Sequence, residues 1–420
     1  LRFIKSLFSF ESSFVLWLFS YQYKNAFEIF TSPDITVLLT LVLIPWGLFL
    51  WIKTKPVLQL RSPVILVFLG LSSWFIASSF WSPSEAYKLQ KTLCYSLYTI
   101  PGFLMGYLII SRDPERLKRL MGAFLVFSTV VLAESYRVFF INGLTTIPDI
   151  LNTNYLVTGQ TLGVGLLVLV PYAWFNFMSQ KADAKTIPVG CNPAITEKLG
   201  GFHNLWLWSF LLGSLFFYAL MNLGGRGPVV ATGAALAIFY GVKCWQSPTS
   251  TQRTLLGVHF CTLALLCTLG YFMLNELFDH TGSHFQQRLA PLMTGQIDEA
   301  VNERFIYYQS AFLTFLNHPF VGVGFGGWPI SHGLGDVSLH PHNIFLEILS
   351  ETGLVGLAGF MALLYFVFRN LKLQVMFSTP ERTSLALLTI FSFLNAQKTG
   401  DLHDNLLLFV TLSLCAGLKR

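Results

Sequence analysis

Apolar runs about as long as a bilayer is thick recur from one end of this chain to the other, and they constrain its fold most. A helix needs about 20 mostly apolar residues to cross the hydrocarbon. Twelve such runs are read, at roughly 7–23, 35–52, 63–80, 93–110, 119–135, 160–178, 205–223, 228–245, 254–275, 344–368, 382–397 and 405–418. The first is interrupted by Glu11 and by Tyr21 to Lys24. Only 11% of the 420 residues are charged, against about 25% in an average soluble protein. So few charges cannot cover a soluble surface of this size. The reading is therefore an all-α, polytopic membrane bundle. Pro45, Pro101 and Pro171 lie in or beside spans, and kinks are expected there because neighbouring helices can satisfy the freed carbonyls. The chain opens on Leu1 without an evident cleavable leader; it is read as lacking its native start, with the first span serving for targeting.

Lys and Arg set the expected orientation. With both termini in the cytoplasm, about 19 of the 27 basic residues fall on the inner side, as the positive-inside rule requires. The polar connector at 179–204 then lies inside and carries no evident chemistry. The six cysteines, Cys94, Cys191, Cys244, Cys261, Cys267 and Cys415, form no CxxC pair and read as reduced, with neither a disulfide frame nor a zinc site.

One outer connection is far longer than the rest. It divides the chain into 1–276 with nine spans, a loop at 277–343, and 344–420 with three spans. Loops beyond about 15 residues are usually functional or disordered. This one keeps six of the nine histidines, a helical stretch around Arg304 to Leu316, and the run Gly322 to Trp328, which is too aromatic for a disordered linker. The glycines do not form a nucleotide loop, since no strand precedes them and no GK[ST] follows; a tight turn near the site is expected instead. Gly353, Gly356 and Gly359 read as a small-residue helix-packing face.

The outward arginines are Arg137, Arg226, Arg288 and Arg304. Arg226, in Gly224-Gly225-Arg226-Gly227, sits between two spans, where a charge is costly and marks a functional candidate. Its guanidinium suits phosphate oxygens. Arg304 and Tyr308 share a helix face. His342, in His340-Pro341-His342-Asn343, precedes an apolar helix. At a helix N-terminus the dipole disfavours extra positive charge, so His342 should stay neutral, the form a general base needs. His340 lies two residues away. His280 and His284 have i, i+4 spacing but no third ligand, so no metal is expected.

His342-Asn343, nine residues, then Gly353-Leu354-Val355-Gly356 resembles the H-[NSQ]-x9-G-x-x-G signature of bacterial O-antigen ligases. Arg304 and the stretch His318 to Gly326 are similar to the approach to that signature across the wider ligase and polymerase superfamily. The resemblance implies a GT-C-like membrane glycosyltransferase of the inner membrane, working on the periplasmic side without cofactor, metal or nucleic acid. It implies an undecaprenyl-diphosphate-linked glycan as donor and lipid A–core as acceptor. It implies His342 as base, Arg226, Arg288 and Arg304 as diphosphate ligands, and Asn343 beside the base. Asp401 or Asp404 would assist by analogy, and the choice between them stays open. A polymerase joining lipid-linked repeats, or a protein O-oligosaccharyltransferase, shares this chemistry. A solute transporter is the rival of another class; it is disfavoured because no internal repeat is present and the polar residues gather in an outer loop.

Overall fold

In the computed structural model, the structure describes residues 9–26, 34–53, 60–142, 150–186, 193–223, 225–247, 249–250, scattered positions from 253 to 268, 299–369 and 371–418. Twelve helices organise these residues: α1 (Phe10–Leu18), α2 (Ile35–Lys53), α3 (Pro63–Ser78), α4 (Ala86–Ile110), α5 (Pro114–Asn142), α6 (Tyr155–Thr186), α7 (Pro193–Asn222), α8 (Arg226–Gln246), α9 (Glu299–Asn317), α10 (Ile344–Phe368), α11 (Pro380–Asn395) and α12 (Leu406–Gly417). No strand is present among the described residues. The chain is a polytopic helical membrane protein. Among the described residues, seven helices are long and apolar enough to cross a bilayer: α2 to α6, α8 and α10. The apolar part of α7 and all of α12 are shorter. The expected span at 254–275 lies largely outside the described residues, as does much of the expected loop before α9.

Local chemistry accounts for the irregular places. Glu11, which interrupts the first apolar run, is buried in α1 and accepts from Arg116 Nη1 at 2.9 Å and Arg119 Nε at 3.1 Å. An acid can lie in an apolar bundle when such partners compensate it. Pro101 follows a π-helical turn at Tyr95–Thr99 in α4; a wider turn is a usual way to absorb an interrupted hydrogen-bond ladder. Pro45 and Pro171 lie inside α2 and α6. The connector expected at 179–204 is mostly helical backbone, because α6 runs on to Thr186 and α7 begins at Pro193.

Most of the helices pack around one large apolar core, and α9 contributes Tyr307 and Ala311 to a smaller one with Trp328. α6 sits centrally, against α5, α7, α8 and α11, while α12 closes on α4, α10 and α11. α10 packs lengthwise on α3, and α9 lies against α10. That last contact carries the site.

Candidate active site

The approach to the site is set by a break in α10. Gly353 has φ +66°, so the helix is interrupted there. The interruption frees backbone groups that the preceding loop takes up. Leu354 N donates to Pro319 O at 2.8 Å and Val355 N to Phe320 O at 3.2 Å. In return Val323 N donates to Ser350 O at 3.0 Å and Gly324 N to Glu351 O at 2.8 Å. The two backbones approach so closely that a Cβ on Gly322 would lie 2.3 Å from the Glu351 carbonyl carbon, and one on Gly353 2.3 Å from that of Phe320. The glycine run is thus a tight turn packed on backbone, as its composition suggested. The expected stripe of three packing glycines is corrected. Gly353 makes the break, a Cβ on Gly356 would meet Thr352 of its own helix, and only Gly359 faces another helix, against Leu71 of α3.

His342 stands where the loop re-enters the bundle. Asn343 is the N-cap of α10, its side chain accepting from Phe345 N at 3.0 Å and Leu346 N at 3.1 Å. Pro341 therefore precedes the cap and lies outside the first turn. His342 adopts φ +57°, a region that costs a side-chain-bearing residue on the order of 1–3 kcal/mol and tends to occur at functional positions. Its ring stacks on Tyr307 at 6.1 Å and meets His340 edge-on at 4.4 Å. Tyr307 in turn packs on buried Trp328, against which His332 stacks at 5.3 Å. Tyr308 reaches the backbone carbonyls of His342 and Gln397 with long hydrogen bonds of 3.5 and 3.4 Å. Nδ1 of His342 and Nε2 of His340 are buried without a hydrogen-bond partner among the described residues. Burial, and then the nearby Arg304, push the His342 imidazole below its usual 6.5. Burial pushes His340 down to about 3. Both rings are neutral at pH 7, by desolvation first.

Cations gather beside this pair. Arg304 on α9 lies close enough to Lys398 to lower the pKa of that ammonium, after burial has done so first. Lys398 Nζ donates to Gly227 O at 3.0 Å, which ties the segment after α11 to the N-terminal turn of α8. Arg226 is the first residue of that turn. The segment is anchored on the other side by Ile344 N donating to Ala396 O at 3.0 Å. Arg304 and Lys398 thus lie together with His342 adjoining, and the turn that begins with Arg226 is tied to them through Gly227. Arg288, His280 and His284 lie outside the described residues. Lys398 was missed in the sequence because it reads there as the ordinary basic end of a span.

Below the histidines lies a buried ionic cluster. Lys91 Nζ on α4 contacts Glu347 Oε1 at 2.6 Å, Glu351 Oε2 at 2.7 Å and Asp401 Oδ1 at 2.9 Å. All four residues are at most 2% exposed. The Tyr87 hydroxyl donates to Asp401, Leu402 N donates to Glu347 Oε1 at 2.9 Å, and Lys91 lies 4.8 Å from the Phe325 ring. His403 stands between the two aspartates, Nδ1 at 3.3 Å from Asp401 and Nε2 at 3.2 Å from Asp404. Burial opposes its imidazolium, but Asp401 and Asp404 outweigh burial and raise its pKa. Asp401 is held well below the usual carboxylate range; Lys91 and His403 overcome its desolvation. The two aspartates thus differ: Asp401 is buried in the cluster, and Asp404 is more than half exposed. Asp336 adds a further tie from the loop, accepting from Ser84 Oγ and from the amides of Glu85, Ala86 and Tyr87 at the start of α4. The sequence held a signal for this cluster. Lys91, Glu347 and Glu351 are charges in or next to apolar spans, and such charges are rare and usually paired.

Residues 210–361 match the family model described as O-antigen ligase. That segment carries Arg226, Arg304, the glycine turn, His342 and the break at Gly353, and it supports assignment to the O-antigen ligase family. No curated protein matches the chain, and no solved structure does.

Proposed function

We propose that this membrane protein is an O-antigen ligase, which moves a glycan from an undecaprenyl-diphosphate-linked donor to a sugar hydroxyl of lipid A–core on the periplasmic face of the bacterial inner membrane. The observation that carries the reading is the juxtaposition of a half-buried, neutral His342 with Arg304, Lys398 and the Arg226 turn. A neutral imidazole can accept a proton, and fixed cations stabilise the charge that develops on a departing diphosphate.

In the step proposed, the acceptor hydroxyl oxygen forms a bond to the anomeric carbon as the bond from that carbon to the diphosphate oxygen breaks. The bonding pair stays on the diphosphate, where Arg226, Arg304, Lys398 and Arg288 would offset its charge without a metal. The hydroxyl proton passes to His342. Direct displacement of this kind inverts the anomeric centre. Asn343 caps α10 and holds the turn, Tyr308 braces it against the segment after α11, and His340 packs edge-on against the His342 ring. Asp401 acts at one remove, through the Lys91 cluster that seats this segment.

The test is transfer by purified, reconstituted protein. Wild-type protein is expected to glycosylate lipid A–core from the diphosphate-linked donor, and His342→Asn to lose on the order of 10²–10⁴-fold in kcat. Transfer only onto a second lipid-linked repeat would assign the polymerase reaction instead. Undiminished transfer by His342→Asn would remove the histidine from the mechanism.

A further inference from the structure

α9 is inside out for a helix in water. Its buried face carries Tyr307, Ala311 and Thr314, flanked by Arg304 and Tyr308. Its outward stripe carries Phe305, Ile306, Phe312, Leu313 and Leu316, each 48–62% exposed, with Gln309 and, at its start, Asn302 as polar residues on the same face. These positions recur at helical spacing, so they form a single face. Apolar patches of this extent on a described surface mark contact with another phase or partner.

The structure also says what covers this face. The stripe runs on into Phe320 and Val321, 69% and 43% exposed. Their segment is bonded to the break in α10, and the next residues of α10, Leu354 and Val355, are likewise exposed. α10 is 25 residues long and apolar enough to span a bilayer, so the stripe is continuous with a surface that lipid already covers. Aromatic side chains mark the same level. Phe80 and Trp81 are exposed at the end of α3, and Trp74 of α3 donates to Thr352 O at the break. Aromatic residues concentrate where a bilayer meets water.

We propose that α9 is an interfacial helix, seated by Phe305, Ile306, Phe312, Leu313 and Leu316 among the lipid acyl chains of the leaflet on the His342 side. One face lies in lipid while the other holds Tyr307, Tyr308 and Arg304 against His342. The consequence is that the site opens at the membrane surface, so a substrate anchored in that leaflet reaches it sideways, without leaving the bilayer. The inference rests on the spanning character of α10 and not on the proposed reaction, so either can fail alone.

The test uses full-length protein in phosphatidylcholine nanodiscs, with trifluoromethylphenylalanine incorporated singly at Phe305, Phe312 or Leu334. Leu334, exposed in the loop between Trp328 and His340, serves as the aqueous control. Fluorine relaxation at Phe305 and Phe312 is expected to be enhanced several-fold by a doxyl-labelled lipid and little by a water-soluble gadolinium chelate. At Leu334 the order should reverse. Gadolinium relaxation at Phe312 equal to that at Leu334 would place α9 in water and overturn the proposal. So would insensitivity to both agents, which would mean that protein covers the stripe.

Discussion

At the scale of the residue, His342 combines three features: a left-handed backbone, a half-buried ring whose Nδ1 is shut off from solvent, and a cation close by. Asn tolerates positive φ better than most residues, so His342→Asn is the replacement that keeps the turn. Its thermal unfolding should stay close to wild type while transfer collapses. The pH dependence has a definite sign. The base must be neutral, and its pKa lies below the usual 6.5, so kcat/KM should be level through neutral pH and fall only on the acid side of 6.5. Arg304 lowers that pKa. Arg304→Gln should therefore move the acid limb to higher pH, besides reducing the rate. An acid limb that stays in place in Arg304→Gln would separate the two groups. His342 and Arg304 were legible in the sequence from their motif. Lys398 was not, because its place beside Arg304 depends on the chain turning back after α11.

At the scale of the element, the break in α10 decides how the loop is held. Gly353→Ala would force a side chain into a positive-φ, extended region open essentially to glycine, at about 1–3 kcal/mol, and against the Phe320 carbonyl, where overpacking adds about 1–3 kcal/mol. A fall in the melting temperature of the detergent-solubilised protein is expected, with activity lost at temperatures where His342→Asn is still folded. Gly359→Ala meets only the end of Leu71, at 3.0 Å, and should cost less. The three glycines look alike in the sequence, spaced by three on an apolar helix. Only the paired backbones show that one breaks the helix and the others are helical. α9 was likewise legible as a helix, but which of its faces is covered depends on α10 and Trp328.

At the scale of the whole molecule, the Lys91 cluster joins α4, α10 and the segment between α11 and α12, which are distant in sequence. Removing one partner from a buried ionic group leaves uncompensated charge and typically costs about 3–5 kcal/mol. Lys91→Met should therefore destabilise strongly and disturb the His340–His342 pair through the displaced segment. Pairing it with Glu347→Gln and Glu351→Gln should recover much of the melting temperature, since the surplus negative charge goes with it. Failure of the triple variant to recover any stability would argue that Lys91 acts by packing against Tyr87 and Phe325 and not by charge.

The sequence alone determined the phase the protein occupies, its helical class, and the motif around His342. Apolar run length, scarcity of charge and short-range spacing are properties of the chain and need no folding to be read. The tertiary structure decided what required distant segments to meet. It seated Lys91 among Glu347, Glu351 and Asp401, set Lys398 beside Arg304, distinguished Asp401 from Asp404, and turned the apolar face of α9 outward. Burial and Coulomb interaction depend on distance in space, and segments as far apart in the chain as α4 and the loop after α11 come within 3 Å only once the bundle has packed.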